Sequence, residues 1–188
     1  MGETKRVFVG IDLSQKFSQL IPMLKTTVGE EEDVIKWISG KNLHLTLSFL
    51  GNINDSKIDS LISNLQEVKK LSKFTLSVNG TGTFPNPEIP KVFWLGIDRG
   101  YNEISDTQSI VDELSFEYKE IQREEKFIPH ITIGRINPAK KNPKINTTTF
   151  LNAVYSPIEI HINIVNLYES CLTPNGPRYK ILAEFPLS

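Results

Sequence analysis

Leu43-His44-Leu45-Thr46-Leu47-Ser48-Phe49-Leu50-Gly51 and Phe127-Ile128-Pro129-His130-Ile131-Thr132-Ile133-Gly134 carry one pattern twice: a His and a Thr two residues apart in an apolar run. Alternation of this kind marks a half-buried strand. Side chains two apart on a strand point to the same face. His44 and Thr46 therefore project together, with Leu43, Leu45, Leu47 and Phe49 expected behind them in the core. His130 and Thr132 do the same, backed by Ile131 and Ile133. The His and Thr of one pair lie roughly 7 Å apart at the backbone, so both reach one small anion. Two facing pairs would surround a phosphate with two proton-transfer groups and two neutral hydrogen-bond donors. One H-x-T triplet is a weak signal, because a single strand His is more often structural than catalytic. Two copies, taking two of the three histidines in the chain, point to a site. The third, His161, shares a polar strand face with Glu159 and Asn163 and reads as exposed.

Composition narrows the function class. A length of 188 residues suits one domain, or two intimately packed lobes. The net charge of −1 gives no global basic field for holding long nucleic acid. A nucleic-acid substrate would be bound locally, at an end. The single cysteine, Cys171, excludes an internal disulfide framework and fits a reducing cytoplasm. It reads as a buried small apolar residue. No run of 18 apolar residues indicates a membrane span, and the opening Arg6–Ile11 reads as a strand rather than a signal-peptide core.

Along the chain, Lys5 to Leu13 is a strand, and Ser14 is placed to cap a helix carrying Phe17, Leu20, Ile21 and Leu24. Gly29 to Asp33 is an acidic turn, too sparse in ligands for a metal. Val34 to Ile38 is a short apolar segment before the turn Gly40-Lys41-Asn42. Asp55 is placed to cap a helix running to about Leu71. Phe74 to Val78 alternates as a strand, Gly80 to Pro87 reads as a loop, and Val92 to Ile97 as a buried strand. Glu103 to Tyr118 is helical. Ile128 to Ile136 carries the second pair, and Asn137 to Thr148 is a basic surface loop. Ile158 to Tyr168 reads as one long strand, and Pro174 to Pro177 turns into a last strand, Tyr179 to Phe185. This order predicts an α+β fold with two similar lobes of antiparallel sheet, helices outside, and one His-Thr strand from each lobe in a shared central cleft.

His44-Leu45-Thr46-Leu47 and His130-Ile131-Thr132-Ile133 resemble the paired H-x-T-x motifs of the 2H phosphoesterase superfamily, and within it the RNA 2′,3′-cyclic phosphodiesterases once called 2′-5′ RNA ligases. The likeness extends to Arg6–Ile11, Asn42–Gly51, Val92–Gly96, Pro129–Arg135, Leu167–Ser170 and Tyr179–Phe185. It implies one bilobal domain over 1–188. It implies hydrolysis of an RNA terminal 2′,3′-cyclic phosphate to a 2′-phosphomonoester without metal or cofactor. It also implies joining of RNA ends through a 2′-5′ linkage in vitro. A cytoplasmic monomer acting on RNA ends or small nucleotides is expected.

The chemistry suits histidine, whose ordinary pKa of roughly 6.5 lies near working pH. One imidazole must enter neutral and the other protonated, and the pattern is symmetric between them. Following the family, the resemblance makes His44 the proton donor to the 3′ oxygen and His130 the acceptor that activates water. Thr46 and Thr132 would donate to the non-bridging oxygens. Arg135 is a further expected phosphate ligand, because an Arg follows the second motif in relatives. Plain alternation puts Arg135 on the wrong face, and a bulge at Gly134 would redirect it. Phe8, Tyr168 and the Gly80–Pro87 loop are candidates for walling the cleft. Two other readings keep the cleft: a phosphodiesterase for 2′-5′ oligoadenylates, ADP-ribose cyclic phosphates or another small cyclic nucleotide, and a non-catalytic RNA-end binding module. A His-based zinc site lacks carboxylate or Cys partners at recognisable spacing.

Overall fold

The computed structural model describes residues 3–14, 16–28, 34–122, 126–140, 145–173 and 176–188. The acidic segment 29–33, part of the basic loop and the start of the 174–177 turn lie outside them. The elements run β1 (Thr4–Asp12), α1 (Leu20–Thr26), β2 (Ile35–Trp37), β3 (His44–Asn54), α2 (Ile58–Asn64), β4 (Phe74–Phe84), β5 (Val92–Arg99), α3 (Tyr101–Ser115), β6 (His130–Ile136), α4 (Thr148–Leu151), β7 (Ile158–Ile162), β8 (Ile164–Thr173) and β9 (Gly176–Pro186). Among the described residues the strands form one nine-stranded antiparallel sheet, ordered β7-β4-β5-β6-β3-β1-β8-β9, with β2 also on β6. No helix among those residues is long and apolar enough to cross a membrane.

The α+β expectation holds, and the two lobes are the two halves of this sheet. They meet at a single registered pair, Leu45↔Ile131, between the two His-Thr strands. The halves of the sheet are not the halves of the chain. β4 crosses to the second His-Thr strand's side, and β8 and β9 return to the first. The apolar run 158–168 is two strands rather than one. Its residues are equally strand-prone on both sides of Asn163, so the partners decide: β7 pairs with β4, and β8 with β1 and β9. Those partners lie near opposite ends of the sheet, and one residue connects them. The sheet must therefore curl into a half-barrel. Backbone bonds close it, with the Leu187 N–H donating to the Asn163 carbonyl at 2.8 Å and the Ser188 N–H to that of Leu71 at 2.9 Å.

One core fills the curl. Val7, Val9 and Ile11 of β1 meet Leu45 and Leu47 of β3, Ile131 and Ile133 of β6, and the buried faces of α1, α2 and α3. The helix starts differ from expectation. Ser14 bonds back to the Asp12 carboxylate instead of capping α1. Asn54, not Asp55, caps the turn leading to α2, accepting from the Ser56 N–H. His161 is exposed and Cys171 only half-buried.

Bulges account for two larger departures. β3 gains one residue on β1 at Leu47 and another at Leu50. Each extra residue resets the alternation, so Ser48 turns inward and Phe49, expected in the core, is 50% exposed. In β4 the register slips at Asn79-Gly80, and pairing with β5 then continues to Phe84. The Gly80–Phe84 stretch is thus strand rather than loop. Its glycines serve a bulge at Gly80 (φ 75°) and a close approach at Gly82, where a Cβ would sit 2.1 Å from the Trp94 ring.

Candidate active site

The Leu45↔Ile131 pair, with both side chains fully buried, fixes what lies above it. Extending that antiparallel register by one residue sets His44 opposite Thr132 and Thr46 opposite His130. All four point away from the core and are half-buried. Directly opposed residues are about 5 Å apart and diagonal ones about 7–8 Å. The two imidazoles are the diagonal pair, and the two hydroxyls occupy the other diagonal. The sequence-level pairs are therefore brought together around a local two-fold axis.

Each ring is held the same way. The His44 Nδ1 lies 2.7 Å from the Asn42 carbonyl, and the His130 Nδ1 2.7 Å from the Ile128 carbonyl. A carbonyl only accepts, so each Nδ1 carries a proton and donates it. Each Nε2 is left as the atom that exchanges protons with a ligand. Aromatic rings brace both imidazoles. Phe8 and Tyr179 lie 4.9 Å from His44, Tyr179 edge-on, and Phe84 lies edge-on 5.0 Å from His130. Phe8 and Tyr168 stack on each other and are buried. They support the His44 ring rather than offering open surface. Phe84 does wall the cleft.

Arg135 reaches the same side. β6 carries an extra residue against β5 at Ile133, next to Gly134, which turns Arg135 onto the His-Thr face. Its guanidinium acts on both imidazoles. Burial first, and then Arg135, holds the pKa of each below the ordinary histidine value, against the carbonyl bond that raises it. His44 is also depressed by His130 and raised by Asp12.

Asp12 breaks the local symmetry. It is the β1 partner of His44, whereas the β5 partner of His130 is Gly96. One imidazole thus has a carboxylate across from it, and the other has no side chain there. Sequence reading missed Asp12, although it is a lone acid in the same alternation phase as Phe8 on an apolar strand. It also missed Tyr179, for which the sequence offers no signal. Among the described residues no three His, Cys, Asp or Glu side chains gather closely enough to hold a metal.

The family model described as LigT like Phosphoesterase matches residues 11–94, which include His44 and Thr46. The RNA 2′,3′-cyclic phosphodiesterase of Thermotoga maritima is 34% identical over 95% of this chain and 94% of its own length. The chain belongs to the RNA 2′,3′-cyclic phosphodiesterase family. The family's Aquifex aeolicus member is 33% identical over 97% of both chains. The fold is that of the solved LigT structure from E. coli complexed with 3′-AMP, with a TM-score of 0.78 over 99% of both chains at 23% identity. The second motif falls outside the matched 11–94 segment, and these near full-length family relatives span it. The chain is accordingly an enzyme of a phosphodiesterase family.

Proposed function

We propose that the protein hydrolyses the 2′,3′-cyclic phosphate at an RNA end to a 2′-phosphomonoester, with the two imidazoles as acid and base. The observation that carries this is the register that sets the two histidines on one diagonal and the two threonines on the other, with each histidine Nδ1 held by a carbonyl. In-line displacement at phosphorus needs a proton taken on one side and a proton given on the other. Histidines whose backbones lie about 7–8 Å apart on one face, with a phosphate between their rings, meet that need.

Asp12 supports the assignment of roles. A carboxylate near an imidazole favours the protonated form, so His44 enters charged and His130 neutral. His130 takes a proton from water as its oxygen bonds to phosphorus. His44 gives its proton to O3′ as the P–O3′ bond breaks. Solvent exchange then restores both rings. Thr46 and Thr132 donate to the non-bridging oxygens, and Arg135 neutralises the charge they carry. The low intrinsic pKa of His44 is offset once the anionic phosphate binds beside it. Ligation to a 2′-5′ linkage is the same displacement with an RNA 5′ hydroxyl in the place of water: P–O5′ forms, P–O3′ breaks, His130 takes the hydroxyl proton and His44 protonates O3′.

Incubation of a short RNA ending in a 2′,3′-cyclic phosphate, in chelator, tests the reading. The expected product is the 2′-phosphomonoester; RNA bound but unchanged would make the protein an RNA-end binding module. The role assignment has its own check. In a kcat/KM profile the rising limb reports the base and the falling limb the acid. Asp12→Asn should move the falling limb down by about half a pH unit, as expected of one charge at partial solvent screening. Movement of the rising limb instead would exchange the two roles.

A further inference from the structure

We infer that the cleft continues into a second subsite, built on Phe49 and Arg6, for the nucleotide that precedes the cyclic-phosphate-bearing one. This rests on the hydrolase reading above and adds a length preference to it. A cavity of about 1040 Å³ opens beside Thr46 and His130 and extends past Phe49 toward Phe116 and Gln108 of the α3 region. That is at the top of the ~300–1,000 Å³ range of pockets taking one drug-sized ligand. It has room beyond a single nucleoside.

The far part of this cavity has an unusual wall. Phe49 is 50% exposed, Phe116 40% and Ile128 41%, and all three line it. The bulge at Leu47 turns Phe49 outward from a strand whose plain alternation would bury it. An exposed aromatic ring is a sequence-tolerant stacking surface for a base. Arg6 lies over this ring, its guanidinium carbon 5.0 Å from the centroid. It lies two residues before Phe8 on β1, on the same face as the ring that packs against His44. Arg6 makes no ion pair among the described residues. Of the acids lining the cavity, Asp112 accepts from Lys119 and Ser48, and Glu120, which feels the Arg6 charge, accepts from the backbone and side chain of Asn52.

A cyclic mononucleotide has one phosphate, which the His-Thr cluster holds. A second cation on a stacking ring, about 10 Å along β3 from Thr46 (three residues at ~3.3 Å), has nothing to meet in such a ligand. A dinucleotide supplies both a base for Phe49 and a linking phosphate for Arg6.

The test compares a mononucleoside 2′,3′-cyclic phosphate with the dinucleotide bearing the same terminal nucleoside. The parent protein should show kcat/KM at least about 5-fold higher for the dinucleotide, as one base stack provides. Phe49→Ala should bring that ratio close to one, and Phe49→Trp should keep it. Arg6→Gln should lower the ratio and flatten its dependence on salt. Equal kcat/KM for both substrates in the parent, or a ratio unchanged by Phe49→Ala, overturns the second subsite and leaves the hydrolase reading standing. Turnover of neither substrate overturns the hydrolase reading and the subsite with it.

Discussion

His44→Ala and His130→Ala should each lower turnover of a 2′,3′-cyclic-phosphate end by at least about 10²-fold, the lower bound for one general acid or base. Both rings are half-buried on strands whose core-facing neighbours are untouched by the change. The variants should therefore keep the parent's circular dichroism and unfold cooperatively. The double variant should lose far less than the product of the two single losses, because donor and acceptor serve one displacement. Thr46→Val or Thr132→Val should cost less than either His change, about 1–3 kcal/mol in transition-state stabilisation. Steady-state kinetics on a short RNA with a cyclic end measures all four. Parent-like turnover in His44→Ala would end the acid-base scheme, whatever the fold.

The residues that dominate this scheme were legible in sequence because strand geometry has a period of two. H-x-T in an apolar run places both side chains on one face wherever the strand lies. The joining of the two strands was not legible. A single registered pair, Leu45↔Ile131, sets the diagonal, and pairing partners are not written in local propensity. The same limit explains the missed break at Asn163, where apolar alternation continues across a change of partner. Phe49 and Gly80–Phe84 were misplaced for another reason. A bulge inserts a residue and inverts the face of all that follows, and nothing in Leu47-Ser48-Phe49 marks it. Arg135 shows the converse. Its alternation phase pointed away from the site, and the glycine beside it was the clue that the phase would reset. Asp12 was visible as a residue but became meaningful only when register set it opposite His44.

Arg135→Gln should have the second large effect, and it separates binding from protonation. A charge-assisted bond to a phosphate oxygen contributes about 1.5–3 kcal/mol, so kcat/KM should fall by about 10- to 10²-fold. The same guanidinium now holds both imidazole pKa values down. Its removal leaves burial as the main depressing influence and lets both values rise toward the ordinary histidine value near 6.5. The sign follows for each limb. The base must lose its proton at a higher pH, which moves the rising limb up. The acid keeps its proton to a higher pH, which moves the falling limb up as well. The whole kcat/KM profile should therefore shift to higher pH with little change in width, whereas Asp12→Asn moves one limb alone. Arg135→Lys should keep the profile near its parental position and still lose affinity, because an ammonium supplies the charge but not the two-pronged fork. A loss of activity in Arg135→Gln with both limbs unmoved would place the guanidinium away from the imidazoles and remove it from the phosphate.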